Sequence, residues 1–255
     1  MFQVISFLIY WLKRVDEHSL HAPFIYSFFT QVLKQKHSDS PDIAQIHQQM
    51  LSDNRSIQLT DFGAGSRVSS SGQRSIRSIA KYASTPVKFS KMMKHLIHHF
   101  QFTEVLELGT SLGINTLYLS SDPQVKVTTL EGDPNIAKIA SDNFKASKRE
   151  NIALIVGNID ETLPKVLKNE RKVDLVYIDA NHRFEPTLRY FDMILLNCHS
   201  ESIIILDDIH WSKEMASAWK NLISRPEVTL SIDVFEAGLL WINPKLDKQH
   251  YILNF

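Results

Sequence analysis

One cysteine, Cys198, is the full complement in 255 residues, so no disulfide can form within the chain. A disulfide-stapled framework is excluded, and a reducing compartment fits. In "LLNCHS" the thiol reads either as a packed or turn residue or as a nucleophile. Net charge is also missing. Lys plus Arg and Asp plus Glu number 28 each, which leaves no overall field to draw the chain to nucleic acid or to an anionic membrane. The expected partner is a small molecule, with no nucleic acid. There is no long apolar run either. Residues 4–12 are mostly apolar, but a bilayer span needs roughly 18 to 20 residues, and no basic segment or small-residue cleavage site frames them. They read as a helix docked on protein or, with Trp11, Lys13 and Arg14 at a headgroup boundary, as an interfacial one. No stable membrane insertion is expected, and the expected location is the cytoplasm. Repeats of 20 to 50 residues are absent as well.

What is present is ordinary for a globular chain: 44% hydrophobic and 22% charged residues. Residues 1–36 read as helical, and residues 37–84 are polar, with "GAGS" at 63–66 either a linker or a small-residue nest. The pattern changes at Pro86, where "TPVKFSKMMKHLIHHF" predicts an amphipathic helix. Two domains are therefore expected, a helical lid segment over 1–84 and a ligand-binding domain over 85–255.

Within the second, β-branched runs alternate with helical spans. Strands are predicted at 104–108, 126–131, 153–157, 173–179 and 202–208. Continuous apolar strands separated by helices imply a parallel sheet covered on both faces. "EVTLSIDVFEAGLLWINP" predicts two strands joined tightly at Glu236 to Gly238, an antiparallel hairpin at one side of the sheet.

The loop in "EVLELGTSLGINT" decides which ligand fits. A dinucleotide fold wants Gly-x-Gly-x-x-Gly, so that backbone can approach a pyrophosphate. Counting from Gly109, the second and third positions are Ser111 and Ile114, which disfavours a pyrophosphate. Glu131 ends the next strand 18 residues after Gly113, where doubly wound folds place a carboxylate on the ribose hydroxyls. A ribose without a pyrophosphate, beside a second carboxylate at Glu107 able to attract an ammonium, describes S-adenosylmethionine.

Five segments, "VLELGTSLGINTLYLS", "VTTLEGDPNIAKIA", "LIVGNIDETLPKVL", "VDLVYIDANHRFEPTLRYF" and "IIILDDIHWS", resemble in order and spacing the motifs of class I S-adenosylmethionine-dependent methyltransferases. Within that class the sequence is most similar to the catechol and caffeoyl-CoA O-methyltransferase group, over roughly residues 86–243. The resemblance implies a doubly wound, mostly parallel seven-stranded Rossmann-like sheet with a C-terminal antiparallel hairpin and an added N-terminal helical segment. It also implies that Glu107, Gly109, Ser111 and Gly113 line the methionine and ribose side, that Glu131 holds the ribose, that Gly157 and Asn158 open the loop beside adenine, and that Asp179 faces the methionine amino group. Asn158 could equally satisfy a turn.

Asp179 ends one predicted strand, and Asp207 and Asp208 end another expected beside it. Oxygen ligands of this kind suit Mg²⁺ or another divalent cation. The related enzymes hold a metal at these places with an Asp, an Asp and an Asn, whereas the third position here is Asp208. The alternative is that Asp208 caps the "DIHWS" turn and no metal binds. The catechol enzymes carry a lysine three residues after the strand-end aspartate, the position that His182 takes. His182 reads as a general base beside Asp179, since an imidazole accepts protons near neutral pH, or as a loop residue that only contacts substrate. His210 and Trp211 line the acceptor pocket or pack behind it.

The expected activity is transfer of a methyl group from S-adenosylmethionine to a small acceptor, at a hydroxyl oxygen. N-methylation and a non-catalytic scaffold on the same fold are the alternatives. The terminal hairpin and the tail "KQHYILNF" leave room for a homodimer.

Overall fold

The computed structural model describes residues 1–36, 38, 40–59, 72–169 and 171–255, so "GAGS" lies outside the described residues. The chain divides into two compact units, one joining Met1–Lys36 to Glu170–Phe255 and the other spanning His37–Asn169. The division therefore falls elsewhere than between residues 84 and 85, and residues 1–84 contribute to both units.

The first unit begins with α1 (Phe2–Lys13), an apolar helix of which only Ser6 and Tyr10 are buried. Its anchor is local and specific: the Tyr10 hydroxyl donates to the Leu253 carbonyl at 2.6 Å. Helix α2 (Pro23–Phe28) opens on a proline, which has no N–H to leave unsatisfied in a first turn. It runs on through a π turn at Phe29–Leu33, and Phe28 meets Trp241 edge-on at 5.1 Å.

The second unit runs through α3 (Pro41–Ser52), β1 (Ser56–Gln58), β2 (Gln73–Ser75), α4 (Ile76–Tyr82), α5 (Val87–Phe100), β3 (Glu104–Leu108), α6 (Ile114–Leu119), β4 (Lys126–Glu131), α7 (Pro134–Ala146), β5 (Ile152–Val156) and α8 (Ile159–Leu167). Strand β4 pairs in parallel with β3 on one side and β5 on the other. The stretch expected to be merely polar supplies part of the core. Ile43, Ile46 and Met50 share one face of α3 and cluster with Leu112, Leu117 and Phe144, while β1 and β2 form a small antiparallel pair.

The first unit resumes with β6 (Val173–Ile178), α9 (Phe184–Leu195), β7 (Cys198–Asp207), α10 (Lys213–Ser224), β8 (Leu230–Asp233), β9 (Ala237–Trp241) and β10 (Gln249–Ile252). Strands β6 and β7 are parallel, while β9 runs antiparallel to both β7 and β8. The expected hairpin is present, with Gly238 allowing the Trp219 ring to close on the backbone. The large sheet is mostly parallel but has eight strands where seven were expected. The extra strand is β10, part of the tail that was free to pair across a dimer. It lies parallel to β8 in its own chain. Among the described residues, no helix is long and apolar enough to cross a membrane.

Candidate functional site

In the second unit, the end of β3 is shaped by left-handed backbone: φ is 98° at Gly109, 50° at Ser111 and 80° at Gly113. Gly113 is required twice over. A Cβ there would sit 2.5 Å from Phe144 Cε1, and a positive φ strains any other residue. Glu107 is fully buried. Its oxygens accept from Asn115 Nδ2 at 2.8 Å and from the Thr116 and Thr129 hydroxyls at 2.5 and 2.7 Å. These three donors compensate the burial of a carboxylate and tie β3 to α6 and β4. The geometry of Glu107 is thus that of a scaffold for the loop.

Glu131, half-buried at the end of β4, accepts the Ser111 N–H and the Asp133 N–H, each at 2.9 Å. The two donors fix the carboxylate at the mouth of the loop. Gly157, at φ 139°, donates its N–H to the Glu131 carbonyl at 2.9 Å. Asn158 caps α8, its side chain accepting the Asp160 N–H at 3.0 Å, the turn-satisfying alternative for this residue. S-adenosylmethionine presents an ammonium and two ribose hydroxyls as donors, so a fitting site needs acceptors. Asn115 Oδ1 is such an acceptor, buried and without a protein partner, and with Glu131 it makes the loop chemically suited to that cofactor.

In the first unit, the turn after β6 places Asn181 at φ 55° and secures it by a hydrogen bond from its Nδ2 to the Tyr190 hydroxyl, 2.5 Å long. The turn brings His182 Nε2 to 3.3 Å from Asp179 Oδ1. Burial works against the charged imidazole, but the hydrogen bond to Asp179 and the charges of Asp179 and Asp208 outweigh it, so the pKa of His182 is raised. Burial, with Asp179 and Asp208 as like-charged neighbours, holds Asp207 well above the ordinary carboxylate range, and Asp207 shares a hydrogen bond with Asp179. Asp208 is raised by burial too, although His182 pulls it the other way.

These aspartates are electrostatically coupled, yet among the described residues no group of three or more His, Cys, Asp or Glu side chains is arranged to hold a metal ion. Asp179, Asp207 and Asp208, the ligands that the sequence offered, form no such group as placed. His95 and His99 lie one helical turn apart, a spacing compatible with a metal pair, with ring centroids 6.3 Å apart, but they belong to no such group among the described residues. Cys198 is buried and its thiol is pushed up to about 11 by that burial, so it packs and does not attack.

Beside the aspartates the first unit holds a cavity of about 370 Å³. Helix α1 contributes Phe7, the turn after β7 contributes Asp208, His210 and Trp211, and the β8–β9 turn contributes Phe235 and Glu236. Trp211 is 43% exposed, a pocket wall and not a core aromatic. His210 Nε2 lies 2.7 Å from the buried Asp233 Oδ2. Phe235 has φ 72°, an outlier for a bulky residue. The surroundings enforce it: its N–H donates to Asp233 Oδ1 at 2.8 Å, and its ring stacks on His210 at 5.3 Å and meets Phe7 edge-on at 5.0 Å.

The sequence singled out His210 and Trp211 but missed Phe7, Asp233, Phe235 and Glu236. The only available signal was "DVFEAG", where a phenylalanine and a glutamate occupy the tight connection of a predicted hairpin, a place that small or polar residues usually fill.

Residues 106–209 match a family described as a methyltransferase domain. An Aspergillus flavus protein described as the O-methyltransferase imqG is 30% identical over 111 residues, an alignment covering 41% of this chain and 44% of that protein. The chain thus spans less than half the length of this curated relative. Among solved structures, an S-adenosylhomocysteine-bound methyltransferase from Podospora anserina superimposes with a TM-score of 0.63 at 16% identity, covering 87% of this chain and 97% of that one. An O-methyltransferase from Streptomyces achromogenes in complex with S-adenosylmethionine gives 0.60 at 16% identity, covering 86% and 96%. Residues 106–209 thus resemble a methyltransferase domain, and the chain shares the fold of these solved methyltransferase structures.

Proposed function

We propose that the protein is an S-adenosylmethionine-dependent O-methyltransferase acting on a small molecule. The observation that carries this is the buried, unpartnered acceptor Asn115 Oδ1 beside a loop too poor in glycine for a pyrophosphate. The methyltransferase-domain match supports the same reading.

S-adenosylmethionine, when bound, supplies an electrophilic methyl carbon on a sulfonium. Glu131 accepts the ribose hydroxyls, Asn115 takes a donor from the methionine end, and Glu107 holds the loop from behind. Gly157 and Asn158 border the adenine. The acceptor's hydroxyl oxygen forms the new C–O bond as the S–C bond breaks, its electron pair remaining on sulfur. The hydroxyl proton goes to His182. With Nε2 turned to Asp179, Nδ1 is the nitrogen that receives it. Asp179 then stabilises the imidazolium, as a carboxylate partner does in proton-abstracting histidine pairs. No step runs through a metal. The single buried cysteine supports a cytoplasmic location.

The test is calorimetric titration with S-adenosylhomocysteine. Micromolar binding is expected, weakened at least tenfold in Glu131→Ala. Unchanged affinity in a folded Glu131→Ala protein would remove the ribose assignment, and absence of binding to the wild type would remove the activity.

A further inference from the structure

The cavity bordered by Phe7, Trp211 and Phe235 is lined on its polar side by Asp208 and Glu236, with no lysine or arginine among its lining residues. Its histidine, His210, is tied to Asp233, whose carboxylate offsets any charge the imidazole takes. Phe7, Trp211 and Phe235 line the cavity with aromatic rings, which favour cations, while Asp208 and Glu236 in the same lining disfavour anions. The aromatic wall is also held at a cost. Phe235 and Asp208 both have left-handed backbone, at φ 72° and 56°, conformations that persist where the surrounding structure over-determines them and that gather at ligand sites. The Asp208 N–H is fixed by the Glu236 carbonyl at 2.7 Å, so both carboxylates belong to one rigid corner. A volume near 370 Å³ suits a single ring with a short substituent.

We propose that this cavity is the acceptor site and selects by charge: it takes a flat aromatic with a cationic or neutral substituent and rejects one bearing a carboxylate or phosphate. The inference rests on the methyl-transfer reading, and its substrate class is narrower than that reading requires.

The experiment uses three phenols of nearly equal size, 3-hydroxybenzylamine, 3-hydroxybenzyl alcohol and 3-hydroxybenzoate. Each is titrated calorimetrically into the full-length protein with and without saturating S-adenosylhomocysteine. The amine should bind at least tenfold more tightly than the benzoate, with the alcohol between them. Glu236→Gln should shrink that ratio below threefold, while its S-adenosylhomocysteine affinity, a check on folding, stays at the wild-type value. Equal or tighter binding of 3-hydroxybenzoate overturns the proposal, and so does failure of all three to bind a protein that takes up S-adenosylhomocysteine. If the charge order is as expected but incubation with S-adenosylmethionine gives no methylated product from any phenol, the cavity's selectivity stands and the O-methyl reading falls instead.

Discussion

Asp207 occupies a position that electrostatics alone would vacate. It ends β7 with Asp179 and Asp208 as like-charged neighbours, and burial with their repulsion raises its pKa well above the usual carboxylate value. A group whose folded pKa is raised favours folding fully below its unfolded pKa, and that contribution is lost as pH rises through the folded value. Asp207→Asn keeps a donor toward Asp179 and an acceptor for Tyr177 but cannot ionise. Its melting temperature should exceed that of the wild type by about 2–4 °C at pH 8, equivalent to about 1 kcal/mol, with a smaller difference at pH 5. A loss of stability at pH 8 would mean that the charged carboxylate is what the fold needs. His182 gives the second residue-scale expectation. Its pKa is raised despite burial, so the free base accumulates only above the ordinary imidazole value near 6.5. Turnover should climb with pH on the alkaline side of that value. In His182→Gln, kcat should fall about 100-fold and the climb should vanish, while S-adenosylhomocysteine affinity holds. Retention of the wild-type pH profile would assign proton removal elsewhere.

Legibility at the scale of elements follows how local the determining forces are. Strands β3 and β4 have the bounds expected, because β-branched and aliphatic residues favour a strand locally. Helix α3 was not anticipated. Its three buried residues, Ile43, Ile46 and Met50, are scattered through a polar stretch, and only their partners on α6 and α7 make them a core. The left-handed turns at Asp208 and Phe235 were equally hidden, since tertiary contacts hold non-glycine residues there against their local preference. Gly113 is the opposite case, a turn visible in sequence whose full reason is packing. Gly113→Ala puts a methyl against Phe144 and Ala140 of α7, at 2.5 and 3.2 Å, and strains φ as well. Overpacking of this kind costs about 1–3 kcal/mol, so the melting temperature should drop by at least about 2 °C and the cofactor should bind more weakly. An unshifted melting curve would show that α6 and α7 can separate at no cost.

For the whole molecule, chain order is a poor guide to which residues share a unit. Tyr10 and Leu253, 243 positions apart, are joined by one hydrogen bond, and Val15 bridges Leu253, so residues 1–36 belong with residues 170–255. Nothing periodic marks such a closure, and for that reason the lid expected over residues 1–84 instead contributes a pocket wall through Phe7 and a core helix through α3. The loop motif after β3 was legible because it is contiguous in sequence, whereas the cavity is assembled from α1 and two distant turns. The metal question is also settled at this scale, because any ligand that binds the folded chain and not the unfolded one raises the melting temperature by mass action. S-adenosylhomocysteine at about 100 times its dissociation constant should add about 2.7 kcal/mol, or roughly 5–10 °C. Millimolar Mg²⁺ alone should add nothing, and EDTA should remove nothing, because the three aspartates are not arranged around a cation. A Mg²⁺-dependent rise that EDTA reverses, and that Asp207→Asn abolishes, would show that these carboxylates rearrange to bind a metal and would return the ion to the mechanism.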